Sequence, residues 1–399
     1  MPARVAHDPP AAFDARAGVV LPPEATSGLI NVAGTWISDG RPPVALHRDK
    51  VFIATQDRVL VFDTALRMTR NLIGPQAEPF TRLTGSSVNT ASAPHVTSGA
   101  SPLLLAPFLV RQPGSGTKAA RNEVELVAAD AATGQAAWHL TLPFPEWGKD
   151  GSYTPGVAVV GSSGSVAVVT ATYDSVSYHA STTYAVDLTA RRLLWTQDAF
   201  EAAAVTDGLV TGPVRDNPLY GAGSHASGRD LATGTERWRG EDRKELALQP
   251  AGPHLLLAQG RDVSDYQKKY TQFLDTADGT VKQDLPKENS GSRCRPDGET
   301  TVVCTGGSNG PSVTAFDAAT GAILWKLPDS GAGRIAPEVT SVWHGRVYGR
   351  TPDGSVALDA RTGADLPAPP GVAPVFVNGY TGVALAPEGH RLMAYATTG

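Results

Sequence analysis

Short apolar segments separated by turn residues run through almost the whole chain. Residues 44–47, 50–55 and 58–63 form one such group, and the third segment ends at Asp63. Segments of this length, bounded by turn residues, are typical of β-strands joined in hairpins. The pattern therefore predicts an all-β protein built from short antiparallel strands.

One phrase follows the third segment and recurs along the chain. Its clearest copy is Asp317, then Thr320 and Gly321, then Trp325 eight residues after the aspartate. An aspartate carboxylate accepts backbone N–H groups at a turn, glycine supplies a positive φ, and tryptophan buries a large surface. These residues are predicted to shape turns and to pack neighbouring units, and not to bind metal or ligand. The repeat residues are Asp63, Asp130, Asp187, Asp230, Asp275, Asp317 and Asp359, with Trp138, Trp195, Trp238 and Trp325.

The spacing of the aspartates indicates the size of the unit. It is 67 and 57 residues at the start of the series and 42 at its end, which suits four short strands per unit. A unit of this size is typical of a β-propeller blade. With a degenerate copy at 394–399, the sequence predicts eight four-stranded blades, and seven is the alternative count.

The ends of the chain bear on how such a ring would close. The last copy ends at Gly399, where its outer strand would begin. A strand from within residues 17–37, either 17–21 or 28–37, is therefore expected to complete the last blade and remove its open edge. Residues 1–16 are expected to be a flexible lead, and 17–399 a single propeller domain.

The repeated residues resemble a known family. The phrase matches Ala-x-Asp-x-x-Thr-Gly-x-x-x-Trp, the motif of pyrroloquinoline-quinone-like (PQQ-like) β-propeller repeats, and the resemblance covers about residues 40–399. The family includes quinoprotein dehydrogenases, the propeller lipoprotein of outer-membrane barrel assembly and propeller sensor domains of membrane kinases. The resemblance implies the fold and leaves the function open among these classes.

The catalytic signatures of that family are missing from the sequence. Quinoprotein dehydrogenases use an adjacent Cys-Cys pair and a calcium ion, whereas Cys294 and Cys304 stand ten residues apart. The nine histidines are scattered, without the spacing of a zinc site. We therefore expect no catalytic residues, no metal and no quinone cofactor. A quinoprotein-type oxidoreductase, or a lyase with its site at the axial channel, is the alternative.

The two cysteines flank a strong turn signal. Residues 296–299 read Pro-Asp-Gly-Glu, which places Cys294 and Cys304 on adjacent strands, within reach of a disulfide. The alternative is that Cys304 only fills a position for a small residue. A disulfide and the resemblance to a largely exported family together predict an extracytoplasmic protein, secreted or membrane-tethered, with its signal or anchor outside this chain. A cytoplasmic location remains the alternative.

Charge and hydropathy exclude two partner classes. The net charge of −5 is made of mixed signs, and the longest apolar run, 103–110, contains Pro107. Neither nucleic-acid binding nor a transmembrane segment is expected.

A binding role is placed on the segments that lengthen the repeat. These are 111–122, 172–182 and 260–270, each predicted to join the second strand of a unit to the third. In a propeller such loops emerge on one face, opposite the aspartate turns, and loops on a rigid scaffold commonly carry function. We expect a protein or small ligand to bind there, although solvated loops would look the same. The candidate residues are Tyr173, Tyr178, His179, Arg261, Asp265, Tyr266, Lys268, Lys269 and Tyr270.

Overall fold

The computed structural model describes most of the chain. The described residues are 4–26, 42–80, 91–149, 153–175, 178–215, 217, 223–265, 267–286, 289, 291–306, 312–386, 389 and 391–398. Two short 3₁₀ turns, Pro23–Thr26 and Glu146–Gly148, accompany the strands. Within these ranges, no helix has the length and apolar character needed to cross a membrane.

The described strands follow one another along the chain as short segments. They are β1 Ala12–Phe13, β2 Val19–Val20, β3 Val44–His47, β4 Lys50–Ala54, β5 Val59–Asp63, β6 Met68–Ile73, β7 Glu78–Pro79, β8 His95–Val96, β9 Leu103–Gln112, β10 Arg121–Asp130, β11 Ala136–Pro143, β12 Gly156–Ser163, β13 Val166–Asp174, β14 His179–Asp187, β15 Arg192–Asp198, β16 Ala204–Thr206, β17 Leu209–Arg215, β18 Gly223–Asp230, β19 Glu236–Pro250, β20 Leu255–Arg261, β21 Lys269–Asp275, β22 Val281–Asp284, β23 Arg293–Pro296, β24 Thr301–Thr305, β25 Val313–Asp317, β26 Ile323–Leu327, β27 Glu338–Trp343, β28 Arg346–Thr351, β29 Gly354–Asp359, β30 Phe376–Val377, β31 Thr381–Leu385 and β32 Leu392–Thr398.

These strands form consecutive antiparallel units. The first is β3–β6, the second β7–β11, the third β12–β15, the sixth β23–β26 and the seventh β27–β29. The fourth and fifth units share the long strand β19 and make one sheet, β16–β22. In the last unit, β1 and β2 pair with β32 beside β31 and β30. The prediction of an all-β chain is confirmed.

The first strands of the units lie next to one another in chain order. β12 contacts β9 and β16, β19 contacts β23, and β27 contacts β23 and β30. β30 in turn contacts β3, which also contacts β8. Apolar side chains fill the spaces between units, as in the cluster that joins Leu126 and Trp138 of the second unit to Tyr184 of the third. The arrangement is propeller-like, with the sheets packed face to face around a common axis.

Each repeat aspartate caps its own turn. The Oδ1 atom of Asp317 accepts the backbone N–H groups of Ala319 and Thr320, and all seven aspartates accept at least one such bond. Gly321, four residues after Asp317, has a φ of +74°. In the two copies without this glycine, Arg67 and Arg191 keep a positive φ. The turn geometry therefore survives the loss of its preferred residue.

Three repeat tryptophans pack on the turn of the following unit. The ring of Trp238 lies over Gly279, where a Cβ would come within 2.5 Å of it, and its Nε1 donates to the carbonyl of Thr276. Trp195 and Trp325 donate in the same way to Leu231 and Ala360. Glycine at this turn serves both the positive φ and the close approach of the ring.

Two units depart from the predicted pattern. The seventh has three strands, because Pro367, Pro369 and Pro370 occupy the described segment where its outer strand would run. Proline has no N–H to give to a strand ladder. In the second unit the inner strand is split into β7 and β8, both paired with β9. Part of the extra length before Asp130 therefore lies in the segment that carries β7 and β8, before the loop 111–122.

Part of the N-terminal segment, which the sequence predicts as a flexible lead, contacts the rest of the chain. Asp8 Oδ1 accepts hydrogen bonds from Trp343 Nε1 and lies 2.7 Å from His344 Nδ1. The carbonyl of Pro10 accepts bonds from Arg346 and Tyr348, and Phe13 is buried against Tyr348. These contacts bind residues 4–13 to the seventh and last units. The alternative closing segment 28–37 lies outside the described residues.

The predicted disulfide is confirmed. Cys294 of β23 and Cys304 of β24 are directly opposite one another, with their Cα atoms 3.9 Å apart, and they are bonded. The turn at 297–300 is held by Asp297, whose Oδ1 accepts the N–H groups of Glu299 and Thr301.

Candidate binding site in the axial cavity

Strands extend into both ends of each of the three segments predicted as long loops. β9 and β10 pair as far as Gln112 and Arg121, β13 and β14 as far as Asp174 and His179, and β20 and β21 as far as Arg261 and Lys269. In each case the paired strands end on the side opposite the aspartate turns, which is called the loop face below.

Two of the predicted tyrosines form a cluster with a third. Tyr178 stacks on Tyr153, with ring centroids 4.4 Å apart and planes at 8°, and Tyr173 lies 4.7 Å from Tyr153. All three side chains are half-buried. Tyr153 precedes the repeat pattern of the third unit, so spacing did not reveal it.

The fifth-unit residues lie apart from this cluster and pack on β19. Arg261 Nε donates to Glu245 at 2.5 Å, and Lys268 lies 3.5 Å from Asp262. Asp265 accepts the N–H of Gln267, and Lys269 begins β21. Tyr266 lies outside the described residues.

Tyr270 differs from its expected place on an exposed loop. Its ring lies under Arg243, 4.6 Å from the guanidinium carbon, and packs against the apolar core of the fourth and fifth units. Burial raises the pKa of its phenol despite the nearby Arg243. Tyr270 is a packing residue, because the extension of β20 and β21 lays it on β19.

A large cavity opens along the axis between the units. Its volume is about 1390 Å³, and its wall includes residues from the third unit through to the last. Of the predicted binding residues only His179 lines it, and none of the described fifth-unit residues 261–270 does so. His179 begins β14 and Arg215 ends β17, so both stand at the loop-face end of the cavity.

Four charged or ionisable side chains meet on one wall of the cavity. His179 is 9% exposed, with Nδ1 3.4 Å from Asp174 and Nε2 3.0 Å from Glu201. Arg215 Nη2 lies 3.8 Å from Glu201 and donates to the carbonyl of Leu246 at 3.5 Å. The set of Asp174, His179, Glu201 and Arg215 is called the charged wall below.

The charged wall holds its ion pair loosely. Burial by itself would raise the pKa of Glu201, but the contact and charge of His179, together with Arg215, outweigh it and lower that pKa. Glu201 is therefore ionised at neutral pH. Both contacts of Arg215 Nη2 are long, and its buried Nε has no hydrogen-bond partner among the described residues. A guanidinium in this state can still bind a stronger acceptor.

Another ion pair on the cavity wall, from the seventh unit, is tightly paired. Arg350 donates to both carboxylate oxygens of Glu338, at 2.7 and 2.9 Å. A bidentate pair of this kind satisfies most of the polar capacity of both groups. The charged wall is therefore better able than this pair to bind a ligand through charged groups.

Sequence reasoning missed Glu201, Arg215, Glu338 and Arg350. Each lies near the loop-face end of the first or second strand of its unit. The candidate residues predicted from the sequence instead came from insertions between second and third strands. A signal was present at 199–205, where Glu201 is the single charged residue in an alanine-rich run that enters an inner strand.

A protein-family model matches part of the repeat region. Residues 268–366 match the family model described as outer membrane protein assembly factor BamB. The repeats in this segment are therefore similar to those of the PQQ-like propeller family. The matched segment runs from β21 through the seventh unit, where the aspartate and glycine spacing is most regular. None of the curated proteins compared with this chain matches it.

Several solved structures are similar to this chain at low sequence identity. The computationally designed Ika8 protein aligns with a TM-score of 0.51 and 16% identity, over 88% of this chain and 95% of its own. The dihydro-heme d1 dehydrogenase NirN in complex with DHE gives 0.45 and 13%, over 91% and 77%. The β-propeller domain of the Trilobed protease from Pyrococcus furiosus gives 0.40 and 9%, over 75% and 92%. Such likeness concerns the fold alone.

Proposed function

We propose that this PQQ-like propeller is a non-catalytic binding protein whose ligand site is the loop-face end of the axial cavity. One observation carries the proposal: a cavity of about 1390 Å³ bordered by a loosely paired Arg215 and Glu201. Binding sites are typically concave, with a few convergent polar groups set in an otherwise apolar lining. Ala202, Ala203 and Pro213 supply that apolar lining beside the charged wall.

The experiment compares ligand binding by the wild type with binding by a variant whose cavity is filled by a larger side chain. Wild-type protein is melted in the presence of an ultrafiltered low-mass extract of its natural host. The plugged variant Ala203→Trp is compared with Val263→Trp, which adds the same side chain on an exposed loop outside the cavity. We expect the extract to raise the melting temperature of the wild type and Val263→Trp, and to leave Ala203→Trp unchanged.

Two results would overturn the proposal. One is a lack of any shift in the wild type, and the other is an equal shift in all three proteins. Should Ala203→Trp fail to fold, Thr340→Trp plugs the cavity from the seventh unit and serves the same comparison.

A second candidate function, an enzyme acting in the channel, is favoured by the position of His179. A buried histidine between two carboxylates and beside an arginine is a set that general acid–base chemistry, such as that of a lyase, uses. Mass spectrometry of the extract after incubation separates the two functions, because an enzyme consumes its ligand and a binding protein does not. The quinoprotein alternative predicts quinone absorbance and a thermal shift when pyrroloquinoline quinone and calcium are added.

We also propose that the chain forms eight units closed by its N-terminal residues. The pairing of Val19–Val20 with Met393 and Ala394, within the predicted segment 17–21, supports the closure. The order of contacts from β3 round to β30 supports the count. An outer strand supplied by the N-terminus joins the two ends of the chain and covers a sheet edge.

The disulfide supports a further proposal, that the protein works outside the cytoplasm. Protein purified from an oxidising compartment should show no thiol on titration under denaturing, non-reducing conditions. The double change of Cys294 and Cys304 to alanine should lower the free energy of unfolding by roughly 2–3 kcal/mol, because a short closed loop is released. Two reactive thiols in that preparation would mean that Cys304 only fills a position for a small residue, and would remove the support for the proposed location.

A further inference from the structure

The charged wall places opposite charges at a spacing that suits one class of ligand. Arg215 and Glu201 are 3.8 Å apart and are 23% and 32% exposed, so both remain open to the cavity. A purely anionic ligand at Arg215 would meet the repulsion of Glu201 and Asp174. A purely cationic ligand at Glu201 would meet the repulsion of Arg215.

A zwitterion avoids both penalties. Its carboxylate can lie against the guanidinium and its ammonium group against the carboxylates, so each charge meets an opposite charge. The two acids of the wall, Asp174 and Glu201, outnumber its one permanent cation, which favours a ligand with an ammonium group. An α-amino acid carries the two charged groups within a few ångströms of each other.

We propose that the charged wall binds a small zwitterion of the amino-acid type, with its carboxylate on Arg215 and its ammonium group on Glu201. This inference rests on the proposed function and names the ligand class for the same site. A neutral sugar is the less suitable ligand here, since the neighbouring lining residues Ala202, Ala203 and Pro213 provide no aromatic platform.

The first experiment measures binding by calorimetry, with the common L-amino acids as probes and glucose and sorbitol as neutral comparisons. At least one amino acid should bind, and Arg215→Gln and Glu201→Gln should each weaken it at least tenfold. The control Arg239→Gln removes a positive charge, as Arg215→Gln does, but from an exposed ion pair outside the cavity. It should leave the affinity unchanged. Melting temperatures without ligand verify that each variant is folded.

The second experiment tests which group meets which residue. The best amino acid is compared with its N-acetyl form, which lacks the ammonium group, and its amide form, which lacks the carboxylate. Each form should bind the wild type at least tenfold more weakly. Glu201→Gln should not reduce the affinity for the N-acetyl form further, because that form has no ammonium group for Glu201 to bind. Arg215→Gln should likewise not reduce the affinity for the amide form further, because that form has no carboxylate for Arg215 to bind.

Several results would overturn the inference. One is that no amino acid binds, and another is that only the sugars bind. A third is that Glu201→Gln and Arg215→Gln each reduce the affinity for the N-acetyl form and for the amide form by the same factor. If a glutamine variant fails to fold, Arg215→Lys keeps the charge and loses the fork, and it should bind more weakly than the wild type. A thermal shift by the host extract without amino-acid binding would leave the cavity site standing and remove only this ligand class.

Discussion

Replacing Trp238 by alanine should lower the free energy of unfolding by about 3–5 kcal/mol, as for other buried aromatic residues. Trp238 is 9% exposed and joins the fourth unit to the fifth, with its ring on Gly279 and its Nε1 on the carbonyl of Thr276. The truncation leaves a cavity beside Gly279 and removes the hydrogen-bond donor of the Thr276 carbonyl. Urea unfolding followed by circular dichroism measures the loss.

The matched control is Gln283→Ala. Gln283 stands eight residues after Asp275, in the tryptophan position of its own repeat, but its side chain is exposed. This change should alter stability by no more than about 0.5 kcal/mol. A loss below about 1 kcal/mol for Trp238→Ala would mean that the repeat tryptophans do not hold neighbouring units together.

The second large effect is expected at the N-terminus. Phe13→Ala should also cost about 3–5 kcal/mol, since Phe13 is 3% exposed and its ring packs on Tyr348 and over Gly382. Phe13 pairs with Thr397 of β32, so the same residue joins the start of the chain to its end.

Val5→Ala serves as its control in the same segment. Val5 is 71% exposed, and its truncation should change stability by no more than about 0.5 kcal/mol. If Phe13→Ala and Val5→Ala both unfold at the same midpoint denaturant concentration as the wild type, residues 4–13 are not part of the packed structure. The proposed closure then fails.

The repeat was predictable because its causes are local. An aspartate that caps the N–H groups two or three residues on, and a glycine that takes a positive φ, act within one turn and leave a fixed spacing in the sequence. The disulfide was predictable for the same reason, since a turn between Cys294 and Cys304 sets two strands side by side. The prolines at 367, 369 and 370 were an equally local signal that the seventh unit lacks an outer strand.

Contacts between distant residues left no such spacing. The described residues among those chosen from insertions lie in different settings. Tyr173 and Tyr178 are in an aromatic cluster, His179 lines the cavity, and Tyr270 lies under Arg243. Arg261 pairs with Glu245 of β19. A loop search cannot distinguish them, because strand extension and the course of β19 decide which way each residue faces. The ordering of residues 4–13 also depends on partners more than 300 positions away, such as Tyr348.

The sequence by itself determined an all-β chain of repeated units, the turns and tryptophans that join several of these units to the next, and the bonded cysteine pair. Tertiary structure alone decided the charged wall, because Asp174 and His179 come from the third unit, and Glu201 and Arg215 from the fourth. The periodicity of a repeat records what each unit shares with the others. A site at the axis is built from the positions where the units differ, and only the packing of neighbouring units brings those positions together.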